Sequence, residues 1–144
     1  MPGPNIVNQC VLDLKSKILS SEAVNIDGKT LYIYDQDDIM NLKKELVPPF
    51  VGIVYVGMRE VDTKASGQGT ELVIDLFVMG ADCVDKSEDM AGQTTLLLDH
   101  IRNAIKCTRS PSGHYWIFRL EAPVERGDDL LYMQRWSCRA MLTS

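Results

Sequence analysis

Few residues in this chain have the types and spacing for chemistry. It holds four cysteines, Cys10, Cys83, Cys107 and Cys138, and two histidines, His100 and His114. A nucleophilic thiol needs a histidine or another cation beside it to hold the thiolate. Cys107 with His114 is the one pairing to weigh, but Cys107 ends an apolar helical face and reads as a core thiol. His114 reads as a local hydrogen-bonding group at the start of a strand. No C-x-x-C occurs, and neither histidine sits near a cysteine at zinc spacing, so no metal and no cofactor are expected. Reduced thiols are expected throughout, since residues 1–10 lack the basic and apolar regions of an export signal.

Other motifs fail for want of context. Asp35, Asp37 and Asp38 lack the glycine and the later glutamate of a calcium loop and read as a helix cap. Gly67-x-Gly69 precedes a strand rather than a helix, so it is not a dinucleotide fingerprint. Residues 91–95, AGQTT, carry no lysine and are not a phosphate loop. Serine, histidine and aspartate are all present, but no G-x-S-x-G elbow is. The residues themselves therefore describe a domain with no visible active site, and the chain is read as a non-enzyme.

The elements around these residues follow from periodicity. Residues 50–58 and 70–79 are β-rich runs either side of a long polar loop and predict a hairpin. In the second run Leu72, Ile74, Leu76 and Val78 fall on one face, which should meet helices. Glu71, Val73, Asp75, Phe77 and Met79 fall on the other. Two readings stand for that face: a partner surface, or a solvated face with stray apolar residues. Asn5 caps a first helix with Val7, Val11, Leu14 and Ile18 in its stripe. A strand over 31–34 precedes a short helix capped by Asp37 or Asp38, with Ile39, Leu42 and Leu46 buried; Pro48 and Pro49 end it. The longest helix is predicted over 87–107, with Glu88 and Asp89 in its first turn and Ala91, Thr94, Leu97, Leu98, Ile101, Ala104 and Ile105 on its apolar face. A tight turn at 109–113 leads into a strand over 114–120. An acidic loop over 121–129 then joins it to a last strand over 130–142, making a second hairpin.

The length of 144 residues fits one domain over the whole chain. The expected fold is α+β: a mostly antiparallel or mixed sheet of four to five strands flanked by two to three helices. The net charge of −5 argues against a basic nucleic-acid-binding face, and no apolar run is long enough to span a membrane.

Three segments, PPFVGIVYVGMR at 48–59, TRSPSGHYW at 108–116 and QRW at 134–136, together resemble the tail terminator proteins of tailed bacteriophages, in the group related to a Mu-like prophage tail protein. The likeness runs from the first helix to the last strand. It implies a structural virion protein, assembled in the host cytoplasm as a homohexameric ring at the head-proximal end of the tail tube. The implied partners are the tube protein, neck or head–tail connector proteins and, in a contractile tail, the sheath; DNA is passing cargo. The Val56-Gly57 step departs from the acidic residue expected before that glycine in relatives, which puts any role for a carboxylate there in doubt. A ring needs one patch meeting a different patch on its neighbour. The expected subunit interface sets Glu71, Asp75 and Phe77 opposite Arg135 or Arg139. Beside this reading stand a small regulatory or ligand-binding module, a cysteine-dependent enzyme, and another connector or minor tail protein.

Overall fold

The computed structural model describes residues 5–26, 28–61, 69–83, 92–127 and 129–141. In chain order they form α1 (Ile6–Leu19), β1 (Asn25–Ile26), β2 (Lys29–Thr30), β3 (Tyr32–Tyr34), α2 (Gln36–Met40), β4 (Phe50–Glu60), β5 (Gly69–Met79), α3 (Gln93–Ile105), β6 (Ile117–Arg126) and β7 (Asp129–Met141). The main sheet has five strands in the order β3-β4-β5-β7-β6, with β1 and β2 as a separate small hairpin. Only β3 and β4 run parallel; the other pairs are antiparallel. The fold is α+β, with a mixed sheet and three helices, as the sequence predicts.

The alternation in β5 sets the two faces of the sheet. Leu72, Ile74, Leu76 and Val78 are fully buried, in one cluster with Cys10, Leu14 and Ile18 of α1 and Leu97, Leu98, Ile101 and Ile105 of α3. We call this the helix face. Each helix contributes a stripe at 3.6-residue spacing, so its polar side stays in water. The Asn5 side chain caps α1 by accepting from the Asn8 N–H at 2.8 Å. Both tryptophans belong to this core: the Trp116 indole donates to Asp13 of α1 and the Trp136 indole to Gln134.

A smaller cluster of Ile39, Phe50, Val54, Met79 and Leu131 lies on the opposite face, under α2 and the chain that follows it. Asp35, not Asp37 or Asp38, is the cap. Its carboxylate accepts from the Asp38 N–H while the Asp38 carboxylate accepts from the Asp35 N–H, a reciprocal capping box. The helix also stops at Met40, with Asn41 extended, so the periodicity that would bury Leu42 is lost and Leu42 is 66% exposed. Arg126, at the end of β6, donates to the carbonyls of Ile39 (3.0 Å), Asn41 (2.6 Å) and Lys44 (3.2 Å). The guanidinium thus satisfies the Ile39 carbonyl that the helix C-terminus leaves open and ties down the chain that follows.

Two further expectations change. Residues 121–126 are strand rather than acidic loop, because Glu121 and Glu125 alternate with Ala122 and Val124 along an edge of the sheet. Pro123 is tolerated there because an edge strand has one side without ladder partners. Cys107 is not a core thiol. The helix ends at Ile105, Cys107 takes φ 59°, and its side chain is exposed. α3 begins at Gln93, and at 13 residues it is shorter than the 14-residue α1. The expected first turn with Glu88 and Asp89, the face residue Ala91, and the tip of the first hairpin lie outside the described residues.

Gly80, just past β5, shows how tightly strand and helix meet. A Cβ there would come within 2.6 Å of the Thr94 backbone nitrogen in α3. The core assignment is checked by Leu76→Ala and Ile101→Ala. Each removes a fully buried side chain from the helix-face cluster and is expected to cost about 2–5 kcal/mol in chemical denaturation.

Candidate interaction surface

α2 covers one end of the face opposite α1 and α3. At the other end, no described element covers the side chains of β4, β5, β7 and β6. Glu71 and Asp75 project here from the middle strand and are only 3% and 5% exposed. Burying a charge costs free energy unless it is paired and hydrogen-bonded, and the neighbouring strands supply the partners. Arg59 of β4 donates through Nε (2.9 Å) and Nη2 (2.7 Å) to Glu71 Oε2. Arg119 of β6 reaches Glu71 Oε1 at 2.9 Å and also donates to Ser137 Oγ at 2.9 Å. Arg135 of β7 pairs with Asp75 in bidentate fashion, Nε to Oδ1 at 2.8 Å and Nη2 to Oδ2 at 3.0 Å. Such fork-to-carboxylate contacts are among the stronger hydrogen bonds in proteins.

Sheet registry explains why these residues meet. Asp75 lies directly opposite Arg135, and Glu71 lies between Arg59 on one side and Arg139 on the other. A bulge between Phe118 and Leu120 lets β6 bring Arg119 to the same face. The guanidiniums cover the carboxylates: the side chains of Arg59, Arg119 and Arg135 are 69%, 41% and 37% exposed over nearly buried acids. Three arginines thus pair with two carboxylates, with Arg139 opposite Glu71 in register, and the patch is basic on a chain of net charge −5. Whole-chain charge concealed this local excess. Exposed Leu120 and Met141 flank the patch in register, and exposed Val56 stands at the β4 bulge beside Gly57.

Four of the five residues expected at an interface, Glu71, Asp75, Arg135 and Arg139, therefore sit together. Asp75 finds its arginine on the next strand of its own chain rather than on a neighbouring copy. Phe77 lies apart: it packs against the cluster under α2, opposite Met133 and Gly52. Sequence reasoning missed Arg59, Arg119 and Ser137. The signal for Arg59 was present, since Arg59 and Glu71 stand at matching distances from the hairpin loop. The bulge that admits Arg119 left no mark.

A second feature is an open cleft of about 550 Å³ between α1 and the β3–α2 corner. Val7, Val11, Ile33, Ile53 and Tyr55 give it an apolar floor, and Lys15, Asp35 and Gln36 stand among its polar lining. β3 stops pairing at Gly52, and the Tyr55 N–H beyond it donates to Gln36 Oε1 at 3.2 Å. Among the described residues, no three His, Cys, Asp or Glu side chains converge as a metal set, and no helix is long and apolar enough to cross a membrane. No protein-family model matches the chain, and no curated protein matches it significantly.

Glu71 makes the patch pH-dependent. Burial alone would push its carboxyl up. Hydrogen bonds from Ser137 and Arg59 and the charges of Arg119 and Arg59 together outweigh that and hold it below the ordinary 4.5. A carboxyl held low in the folded state adds stability that is full above its unfolded value and is lost as pH falls through the folded one. Stability is therefore expected to fall as pH drops below about 4.5, and Glu71→Gln should flatten that slope in acid denaturation.

Proposed function

We propose that this chain is a structural virion protein that caps the head-proximal end of a phage tail tube as a homohexameric ring, stops tube growth and offers a surface to the neck. The observation that carries the proposal is a sheet face that, among the described residues, is covered at one end only. One end is sealed by α2, and the other presents arginines over neutralised carboxylates beside exposed Val56, Leu120 and Met141. A basic surface whose carboxylates are already paired within the chain, set beside exposed apolar groups, suits a protein partner. The resemblance to tail terminators supports the same reading, and its three segments fall on parts that shape this face or the core beneath it. Residues 48–59 lead into and form most of β4, 108–116 form the turn that delivers Trp116, and 134–136 put buried Gln134 and Trp136 next to Arg135.

A tube grows because each added ring exposes a surface that accepts the next. Growth stops when a ring binds whose lower face resembles a tube subunit and whose upper face does not. A compact sheet with one partner-like face meets that need without performing a reaction. The cleft beside α1 favours a second reading, a small ligand-binding module, because its volume lies within the range of small-molecule pockets.

The experiment is deletion in the phage that carries this chain. Overlong tails without heads are expected, and purified protein added to growing tubes should halt their elongation. Normal-length tails joined to heads in the deletion would turn the assignment toward the ligand-binding module.

A further inference from the structure

Cys10 on α1 and Cys138 on β7 are far apart in the chain, yet their sulfurs lie 3.9 Å apart with both residues fully out of water. Both are free thiols. The 109–116 turn lies against β7 nearby. Ser110 and Ser112 share a hydroxyl–hydroxyl hydrogen bond of 2.7 Å, and Ser112 donates to the carbonyl of Arg139, the residue after Cys138. A hydrogen bond from Cys10, joined by the Ser110 and Ser112 hydroxyls, outweighs burial and holds the Cys138 thiol down to about 7. Cys10, bonded to that sulfur and buried, is pushed the other way. The 3.9 Å approach puts the two sulfurs within reach of one another, and the lowering at Cys138 makes it the more readily ionised of the two.

We propose that Cys10 and Cys138 form a covalent modification site, at which a peroxide converts the two thiols into an intramolecular disulfide joining α1 to β7. The Cys138 thiolate attacks one peroxide oxygen and the O–O bond breaks. The departing hydroxide takes up a proton and leaves as water, and Cys138 becomes a sulfenic acid. The Cys10 sulfur, losing its proton, then attacks the Cys138 sulfur. The S–S bond forms, the S–O bond breaks, and the hydroxide released takes that proton and leaves as a second water. Two thiols lose two electrons in all, and one peroxide becomes two waters. The sulfurs must close from 3.9 Å to a bond of about 2.05 Å, a shift that a rotamer change and a small movement of α1 can supply. Because neither sulfur meets solvent, the reaction waits on local opening of α1 and runs more slowly than oxidation of exposed Cys107.

The test uses the full chain with Cys83→Ser and Cys107→Ser, which leaves the pair as its only thiols, treated with hydrogen peroxide. Both thiols are expected to disappear from a titration in denaturant, and the mass should fall by two hydrogens. A peptide map should join the Cys10 and Cys138 peptides, and Tm should rise by roughly 5–15 °C and return on reduction. Peptide mapping of peroxide-treated wild-type protein reads the same cross-link without substitutions. Persistence of both thiols, disulfides only between molecules, or a sulfinic acid at Cys138 without the cross-link would each overturn the proposal.

Discussion

Two carboxylates on the middle strand of a five-stranded sheet, almost out of water, constrain much of this structure. Burying Glu71 and Asp75 there costs free energy unless each meets a cation held by the backbone of another strand. Arg135 answers Asp75 from directly across the ladder, and Arg59 and Arg119 answer Glu71 from opposite sides. A slip of one residue in β7 would send Arg135 to the helix face and bring Trp136 out, leaving Asp75 unpaired. The ion pairs and the apolar core therefore specify the same register. Their net worth as stabilisers is modest, since guanidiniums more than a third exposed are well screened. Their larger effect is on which strand pairing is tolerated.

The same arrangement gives the open end of the sheet its character. The carboxylates are spent inside the chain, so what faces outward is the far side of the guanidiniums together with a few apolar groups. A partner meeting this surface need not supply a positive charge to rescue Asp75. It meets a shallow basic patch whose acids are already satisfied. The other end is sealed by α2, whose position depends on Arg126 reaching its carbonyls from the opposite edge of the sheet.

The features legible in the sequence were those set by periodicity over several turns or strands. The stripe of Leu14 and Ile18, the two faces of β5, and the last hairpin all follow from 3.6- or 2-residue repeats. What was not legible depended on single backbone events. Asp35 rather than Asp37 caps α2, and one turn fewer of helix exposes Leu42. Glu121 and Glu125 looked like loop because charge outweighed a weak alternation, although Glu121 accepts from Gln134 and pairs with Arg102 of α3. Cys107 turns outward on one positive φ. For the candidate surface, residue types marked Glu71, Asp75, Arg135 and Arg139. Only the registry showed that Asp75 and Arg135 belong to each other within one chain, and only the bulge in β6 brought in Arg119. The approach of Cys10 to Cys138 had no sequence signal, because it joins a helix to the last strand through the core.

The most direct test is a double-mutant cycle on Asp75 and Arg135, with unfolding free energies measured for the wild type, Asp75→Ala, Arg135→Ala and the pair over a range of protein concentrations. Neutralisation within the chain predicts a favourable coupling of about 1 kcal/mol or more that does not change with concentration. A coupling near zero in dilute protein, emerging only as copies associate, would place the Asp75 partner on a neighbouring molecule and contradict the account.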